Sequence, residues 1–270
     1  MANTISGGIV VVLLFGSIAC QTIAESGSEV NVKLPGNTTV ETSVADTVVA
    51  QLDSLTVVPI AQSENPAITD LEKAIRAAGL VEVQELESAI YCNLKYSTTD
   101  NFLGEDVYGD FDKCFLQPEA AAGLAVAQAH LEKKHPVWHL SIFDAVRPRR
   151  VQQQMWDLVD YPIQEKVRYV SNPKNGSLHN YGAAVDITIV TETGEELDMG
   201  TPFDYFGELA YPRKETALLA AGLLSQEVIE NRRLLREVMY HGGFTVLPTE
   251  WWHFNFCSRA EAAQRYTIIE

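Results

Sequence analysis

The sequence predicts an α+β domain. Helical and strand-like segments are both present, they mix without a regular strand–helix–strand alternation, and no internal repeat links them. Order begins at Thr69-Asp70-Leu71-Glu72, a capping-box pattern, where Ile68, Leu71, Ile75 and Ala78 recur at helical spacing until Gly79 stops the helix. Ala89 to Leu94 reads as a strand. Pro118 to Lys134 is Ala-rich, has Pro in its first turn and ends in basic residues, which predicts a helix. A strand follows over Val137 to Phe143, a helix over Arg149 to Val159, and a strand over Val185 to Val190 with its β-branched run VDITIV. Lys214 to Tyr240 holds one or two helices closed by Gly242-Gly243, and Phe244 to Phe256 carries the last strands.

Composition narrows the function classes. The chain has 270 residues, 46% of them hydrophobic, enough for one sizeable domain with extensions. Its formal net charge of −16 argues against nucleic-acid binding and against attachment to an anionic membrane by charge, since both need a basic face. Residues 1–20 contain the short apolar run Ile9 to Cys20, of signal-peptide length and too short to span a bilayer comfortably. Gly16-Ser17-Ile18-Ala19 suits a signal-peptidase site, and Ala19-Cys20 resembles a bacterial lipobox, which leaves cleavage and lipidation of Cys20 as alternatives. Either implies export, to the periplasm or to a membrane anchor facing it. Residues 21–65 are rich in Ser, Thr, Glu, Asn and Val, lack aromatics and read as a flexible linker; the catalytic domain is expected over 66–270. In an oxidising compartment Cys92 and Cys114, which bracket 21 residues, are candidates for a disulfide that leaves Cys257 unpaired; otherwise both are small core residues.

Two distant segments look like halves of one metal site. Ser177 to Asp186 (SLHNYGAAVD) and Glu250-Trp251-Trp252-His253 together offer two imidazoles and two carboxylates. A catalytic zinc takes three protein ligands and keeps a fourth position open, and hydrolysis then needs one unligated carboxylate as base. His179, Asp186 and His253 fit as ligands and Glu250 as the base. Each segment alone also reads as ordinary packing; their co-occurrence favours the metal. Glu250 and His253 are three apart, so on one strand they face oppositely, and a bend or bulge is required to bring them together.

The pattern Ser177, His179, Gly182, Ala184, Asp186 followed by Glu250, Trp252 and His253 resembles the zinc D-alanyl-D-alanine dipeptidases, the vancomycin-resistance and murein-recycling type, related to zinc D,D-carboxypeptidases. Tyr96 to Phe102 (YSTTDNF), Asp144 to Pro148 (DAVRP), Met199 to Asp204 (MGTPFD) and Asn231-Arg232-Arg233 extend the likeness in order and spacing from about residue 85 to 257. The resemblance implies one zinc per chain held by His179, Asp186 and His253, with Glu250 as proton carrier. It implies Arg147 as the cation facing the oxyanion, Asp204 as the carboxylate holding the substrate ammonium, and Tyr96 and Ser177 lining the dipeptide site. Without it, Arg147 reads as a salt-bridged helix-starting residue, Asp204 as a turn Asp, Tyr96 as a half-buried strand residue and Ser177 as a loop Ser. Val146 and Ala145 depart from the family's D-G-Y-R-P, and Leu178 replaces a hydroxyl residue, which bears on substrate range.

The resulting expectation is a single zinc-peptidase domain with a central antiparallel sheet flanked by helices, hydrolysing D-Ala-D-Ala in peptidoglycan-peptide turnover. The alternatives are a D,D-carboxypeptidase acting on longer stem peptides and a non-catalytic wall-peptide-binding lipoprotein. A carboxylate at Asp204 discriminates, because it closes the pocket on a free amine.

Overall fold

A computed structural model describes residues 69–270; the export segment with Cys20, the linker, and residues 66–68 lie outside the described residues. Thr69 caps helix α1 (Asp70–Ala77), its hydroxyl accepting from Glu72 N–H at 3.1 Å. The capping-box pattern is only half used. The Glu72 carboxylate turns instead to Arg76 and Lys113, at 3.0 and 3.1 Å.

Strand β1 (Val81–Glu82) pairs antiparallel with β3 (Phe115–Leu116), and the short helix α2 (Val83–Leu86) follows β1 directly. The main sheet has five strands in the order β2 (Tyr91–Cys92), β4 (His139–Asp144), β5 (Ala184–Val190), β7 (His253–Asn255) and β6 (Thr245–Val246). Four of them run antiparallel as the sequence predicts; β2 instead pairs parallel to β4. The cause is the connection: the chain leaves β2, passes through β3 and the long helix α3 (Pro118–Lys134), and returns to the same end of the sheet. The predicted six-residue strand around Tyr91 shrinks to two paired residues because Asn93 is the last to bond β4 before the chain turns at Lys95.

Every residue of β5 is buried, so both faces of this strand are covered and its sequence need not alternate. Val185, Ile187 and Ile189 enter the main apolar core beside Leu140, Ile142 and Phe254. Helix α3 and helix α7 (Gln226–His241) pack against each other through glycine: a Cβ at Gly123 would lie 2.4 Å from the carbonyl oxygen of Gly242, so no larger residue allows this approach. In the middle of α3, Gln128 is fully buried because it accepts from Leu140 N–H and donates to the Trp138 carbonyl, completing the start of β4.

Helix α4 (Arg149–Leu158) starts directly after Pro148, and α5 (Ile163–Lys166), α6 (Glu215–Ala220) and α8 (Arg259–Arg265) complete the described elements. The sulfurs of Cys92 and Cys114 are joined, with Cα atoms 6.0 Å apart, tying the β2 edge to the segment before β3; Cys257 is free. No helix of the described residues is long and apolar enough to cross a membrane.

Candidate active site

Sheet register assembles the metal-capable residues. Asp144 on β4 pairs with Asp186 on β5, which pairs with His253 on β7. Paired residues of antiparallel strands project to the same face, so three polar side chains stand in one row across the sheet. A register shift between Ile142 and Asp144 puts Asp144 in that row.

His179 reaches the row from a one-turn 3₁₀ segment, His179–Tyr181, which ends at Gly182 with φ of 64°. That left-handed conformation suits glycine, and a Cβ there would meet Leu80 Cδ2 at 2.6 Å. The turn is locked to the Asp144–Pro148 loop: Arg147 N–H donates to the His179 carbonyl, and the Asn180 side chain donates to the Arg147 carbonyl. Glu250 lies in the Leu247–Trp252 connection between β6 and β7, off the strand that carries His253. This turn is the bend the three-residue spacing demanded.

Three donor atoms converge. Asp186 Oδ1 is 2.9 Å from His253 Nδ1 and 3.5 Å from His179 Nε2, and the two ring nitrogens are 3.1 Å apart. Tetrahedral zinc with bonds of about 2.0–2.2 Å separates its donors by roughly 3.3–3.6 Å, so the triangle is close to one face of such a site. The far nitrogens are committed elsewhere: His179 Nδ1 donates to the Ala145 carbonyl at 2.8 Å, and His253 Nε2 to Asn255 Oδ1 at 2.8 Å. When the rings are neutral these bonds put the proton on the far nitrogen and leave an unprotonated nitrogen toward Asp186, the outer-sphere pattern expected around zinc. Burial disfavours a charge on either side of the Asp186–His253 pair. Attraction prevails: His179 first and then His253 hold the Asp186 carboxyl well below the usual range, and Asp186 pushes His253 up to about 9. A proton on His253 and a metal ion are alternative positive partners for Asp186, and the three converging donors fit a zinc ion.

All three donors line a cavity of about 260 Å³, shared with Tyr96, Arg147, Ser177, Asp204 and Glu250. Arg147 is buried and fixed. Its Nε donates to Asp144 Oδ2 at 2.8 Å, Nη2 bonds the same oxygen, and its guanidinium lies 5.1 Å from the Tyr96 ring centre. Tyr108 donates to the other Asp144 oxygen. Glu250 is half-buried, and desolvation raises its carboxyl above the ordinary range, a suitable setting for a group that must take up and release a proton.

At the other end, Asp204 is buried and accepts from the Tyr96 hydroxyl at 2.9 and 3.1 Å. Desolvation, then the Asp186 charge, raises its pKa well above the usual value. No cation of the described residues forms an ion pair with it, and at φ 59° it is the one positive-φ residue other than glycine among them. Strain of this kind persists where surrounding contacts impose it. Here Phe203 packs on Tyr96, Phe143 and Trp252, and the Trp251 indole donates to Thr201.

Ser177 faces the cavity but its hydroxyl donates to Gln152 Oε1 at 2.7 Å. Sequence reasoning missed Asp144, Tyr108, Gln152 and Asn255, which orient the named residues. It also assigned no role to Arg232, a buried arginine that donates to the carbonyls of Met199 and Leu209, which flank the Asp204 loop. Asp144 and Arg232 lie in the DAVRP and NRR segments, but a buried Asp three residues before an Arg, and one arginine on the buried face of a helix, reveal their need for partners only once burial is known.

The comparisons agree with the geometry. Residues 76–269 match the family described as D-ala-D-ala dipeptidase. The D-alanyl-D-alanine dipeptidase of Escherichia coli strain K12 is 33% identical over 177 residues, covering 65% of this chain and 83% of that protein. Those of Enterococcus faecium and Streptomyces coelicolor are 27% and 30% identical, covering 90% and 88% of their lengths. A match of this extent, over the residues that build the cavity, makes the chain a member of the D-ala-D-ala dipeptidase family of zinc metallopeptidases.

Proposed function

We propose that the chain hydrolyses D-Ala-D-Ala to D-alanine, in a zinc-dependent reaction with one ion per chain. The observation that carries this reading is Asp204: a buried carboxylate, with no cation paired to it, in the same small cavity as the His179–Asp186–His253 cluster. Such a group calls for a positive charge from the ligand, and the free ammonium of a dipeptide supplies one. The relatives named above are D-alanyl-D-alanine dipeptidases, which supports the same substrate.

The residues divide the work. Asp204 and the Tyr96 hydroxyl hold the ammonium, which sets the scissile carbonyl toward the cluster. His179, Asp186 and His253 would hold the zinc ion, which when bound would supply Lewis-acid chemistry and a water acidic enough to ionise near neutral pH. Glu250 takes the proton from the attacking water and delivers it to the departing amine. Arg147, fixed by Asp144, faces the developing oxyanion from a dry wall. Ser177 lines the side of the cavity toward the second residue.

The proposal extends to residues 1–65 as an export signal, cleaved or lipidated at Cys20, followed by a tether. That arrangement places residues 66–270 in the periplasm or on a membrane facing it, where peptidoglycan turnover releases dipeptides. A D,D-carboxypeptidase is the second reading, but a buried carboxylate at the amine end opposes an acylated substrate. The test measures D-alanine release from purified protein, with added zinc and after chelation, on D-Ala-D-Ala and on an N-acylated tripeptide ending in D-Ala-D-Ala. Zinc-dependent preference for the dipeptide is expected. Preference for the acylated peptide, or binding without turnover, overturns the reading.

A further inference from the structure

Two cations at the cavity rim have no part in the chemistry above. Arg168 and Arg259 both line the cavity, both are exposed, and neither forms an ion pair among the described residues. They stand on different walls. Arg168 precedes Tyr169, whose ring packs 4.8 Å from Phe206, two residues beyond Asp204, which puts it toward the amine end. Arg259 donates through Nη2 to the carbonyls of Asn175 and Gly176, immediately before Ser177, which puts it on the Ser177 wall.

A D,D-dipeptide is a zwitterion. With its ammonium at Asp204 and its scissile carbonyl at the His179–Asp186–His253 cluster, its carboxylate must lie beyond the cluster, away from Asp204. Of the cavity's polar lining, Asn255 is bonded to the far nitrogen of His253, and Arg259 to the backbone immediately before Ser177. Ser177 already donates its hydroxyl to Gln152, and Asn255 accepts from His253, which leaves Arg259 as the charge on that wall. The two carbonyls engage only part of a guanidinium that has five N–H donors, and they fix its plane. We infer that Arg259 binds the C-terminal carboxylate of the dipeptide and so selects for substrates that end at their second residue. This rests on the dipeptidase reading and deepens it: Asp204 measures one end of the substrate, and Arg259 the other.

The experiment compares D-Ala-D-Ala with its C-terminal amide on zinc-loaded wild-type, Arg259→Gln, Arg259→Lys and Arg168→Gln proteins. Gln retains an N–H for the Asn175 and Gly176 carbonyls while removing the charge, and thermal melting confirms that each variant is folded. Arg259→Gln is expected to raise KM for the acid about tenfold with kcat changed less than about threefold, the scale of one charge-assisted bond. KM for the amide, or its Ki against the acid where turnover is slow, stays at the wild-type value, so the preference for the acid collapses. Arg259→Lys restores part of it. Equal effects on acid and amide, no effect, or an acid-selective loss in Arg168→Gln instead would each overturn the assignment. Wild-type turnover of D-Ala-D-Ala is measured first: its absence removes the dipeptidase reading and this inference together, whereas turnover with the acid preference intact in Arg259→Gln removes only the inference.

Discussion

The two ends of the cavity are built differently. The metal end stands on paired strands: Asp144, Asp186 and His253 occupy one row of the sheet, and His179 is held over them by backbone bonds to the neighbouring loop. The amine end stands on a loop, with Asp204 at a positive φ and held by aromatic packing and a distant arginine. Rigid register makes the first end insensitive to its surroundings, because a ligand on a central strand moves only if the sheet moves. The second depends on contacts that single substitutions remove.

The largest effect therefore belongs to the metal end. Glu250→Ala removes the proton carrier without touching the three donor atoms. It should lower kcat by about 10²–10⁴-fold, the usual worth of a positioned general base, while bound zinc, measured by elemental analysis, remains at one per chain. Loss of zinc in this variant would mean that Glu250 serves the metal and that the division of labour is wrong.

Asp204→Asn tests the other end. It keeps the shape and an acceptor for the Tyr96 hydroxyl but removes the charge that meets the ammonium. Losing one partner of a buried charge pair costs about 2 kcal/mol or more, so KM for the dipeptide should rise roughly 30-fold, with kcat falling less. The wild type carries a related pH signature. Burial raises the Asp204 carboxyl, so its ionised form exists above that raised pKa and is lost as the pH falls through it. KM should accordingly climb on the acid side at a pH above the ordinary aspartate range, and Asp204→Asn should abolish that limb. An unchanged limb in the variant would assign it to another group.

The difference between the ends also explains what the sequence discloses. Strand periodicity around Val185–Val190 and the ligand spacing of the two flanking segments are local signals, so the sheet and the donor set could be read directly. The parallel pairing of β2 could not, because two residues carry no directional signal and the direction follows from a long crossover through β3 and α3. Asp204 reads locally as any turn aspartate, and only the family likeness singles it out. Its burial, its strain and its bond to Tyr96 join residues more than a hundred positions apart, and no local pattern encodes such a meeting. Arg147 likewise needed Asp144, which lies in the same DAVRP segment but declares itself only when both are seen to be buried.

Arg232 gives the smallest expected effect on catalysis and the sharpest separation of the two ends. It lies on α7, fully buried, donating to Met199 and Leu209 on either side of the Asp204 loop, while Asn231 donates to the carbonyl of Asp198. Glu215 would keep a partner without it, because Arg236 grips both carboxylate oxygens at 2.8 and 2.7 Å. Arg232→Met therefore strands two backbone carbonyls rather than a charge, at about 1–3 kcal/mol each where no water replaces the donor. Denaturant unfolding should show a loss of roughly 2–6 kcal/mol on that basis. The catalytic signature is selective: a several-fold rise in KM for the dipeptide as the Asp204 loop relaxes, with zinc content and kcat near wild type. A fall in zinc content would show that the loop and the strand row are coupled. A destabilised protein with unchanged KM would show that the aromatic cluster around Phe203 holds Asp204 without the arginine.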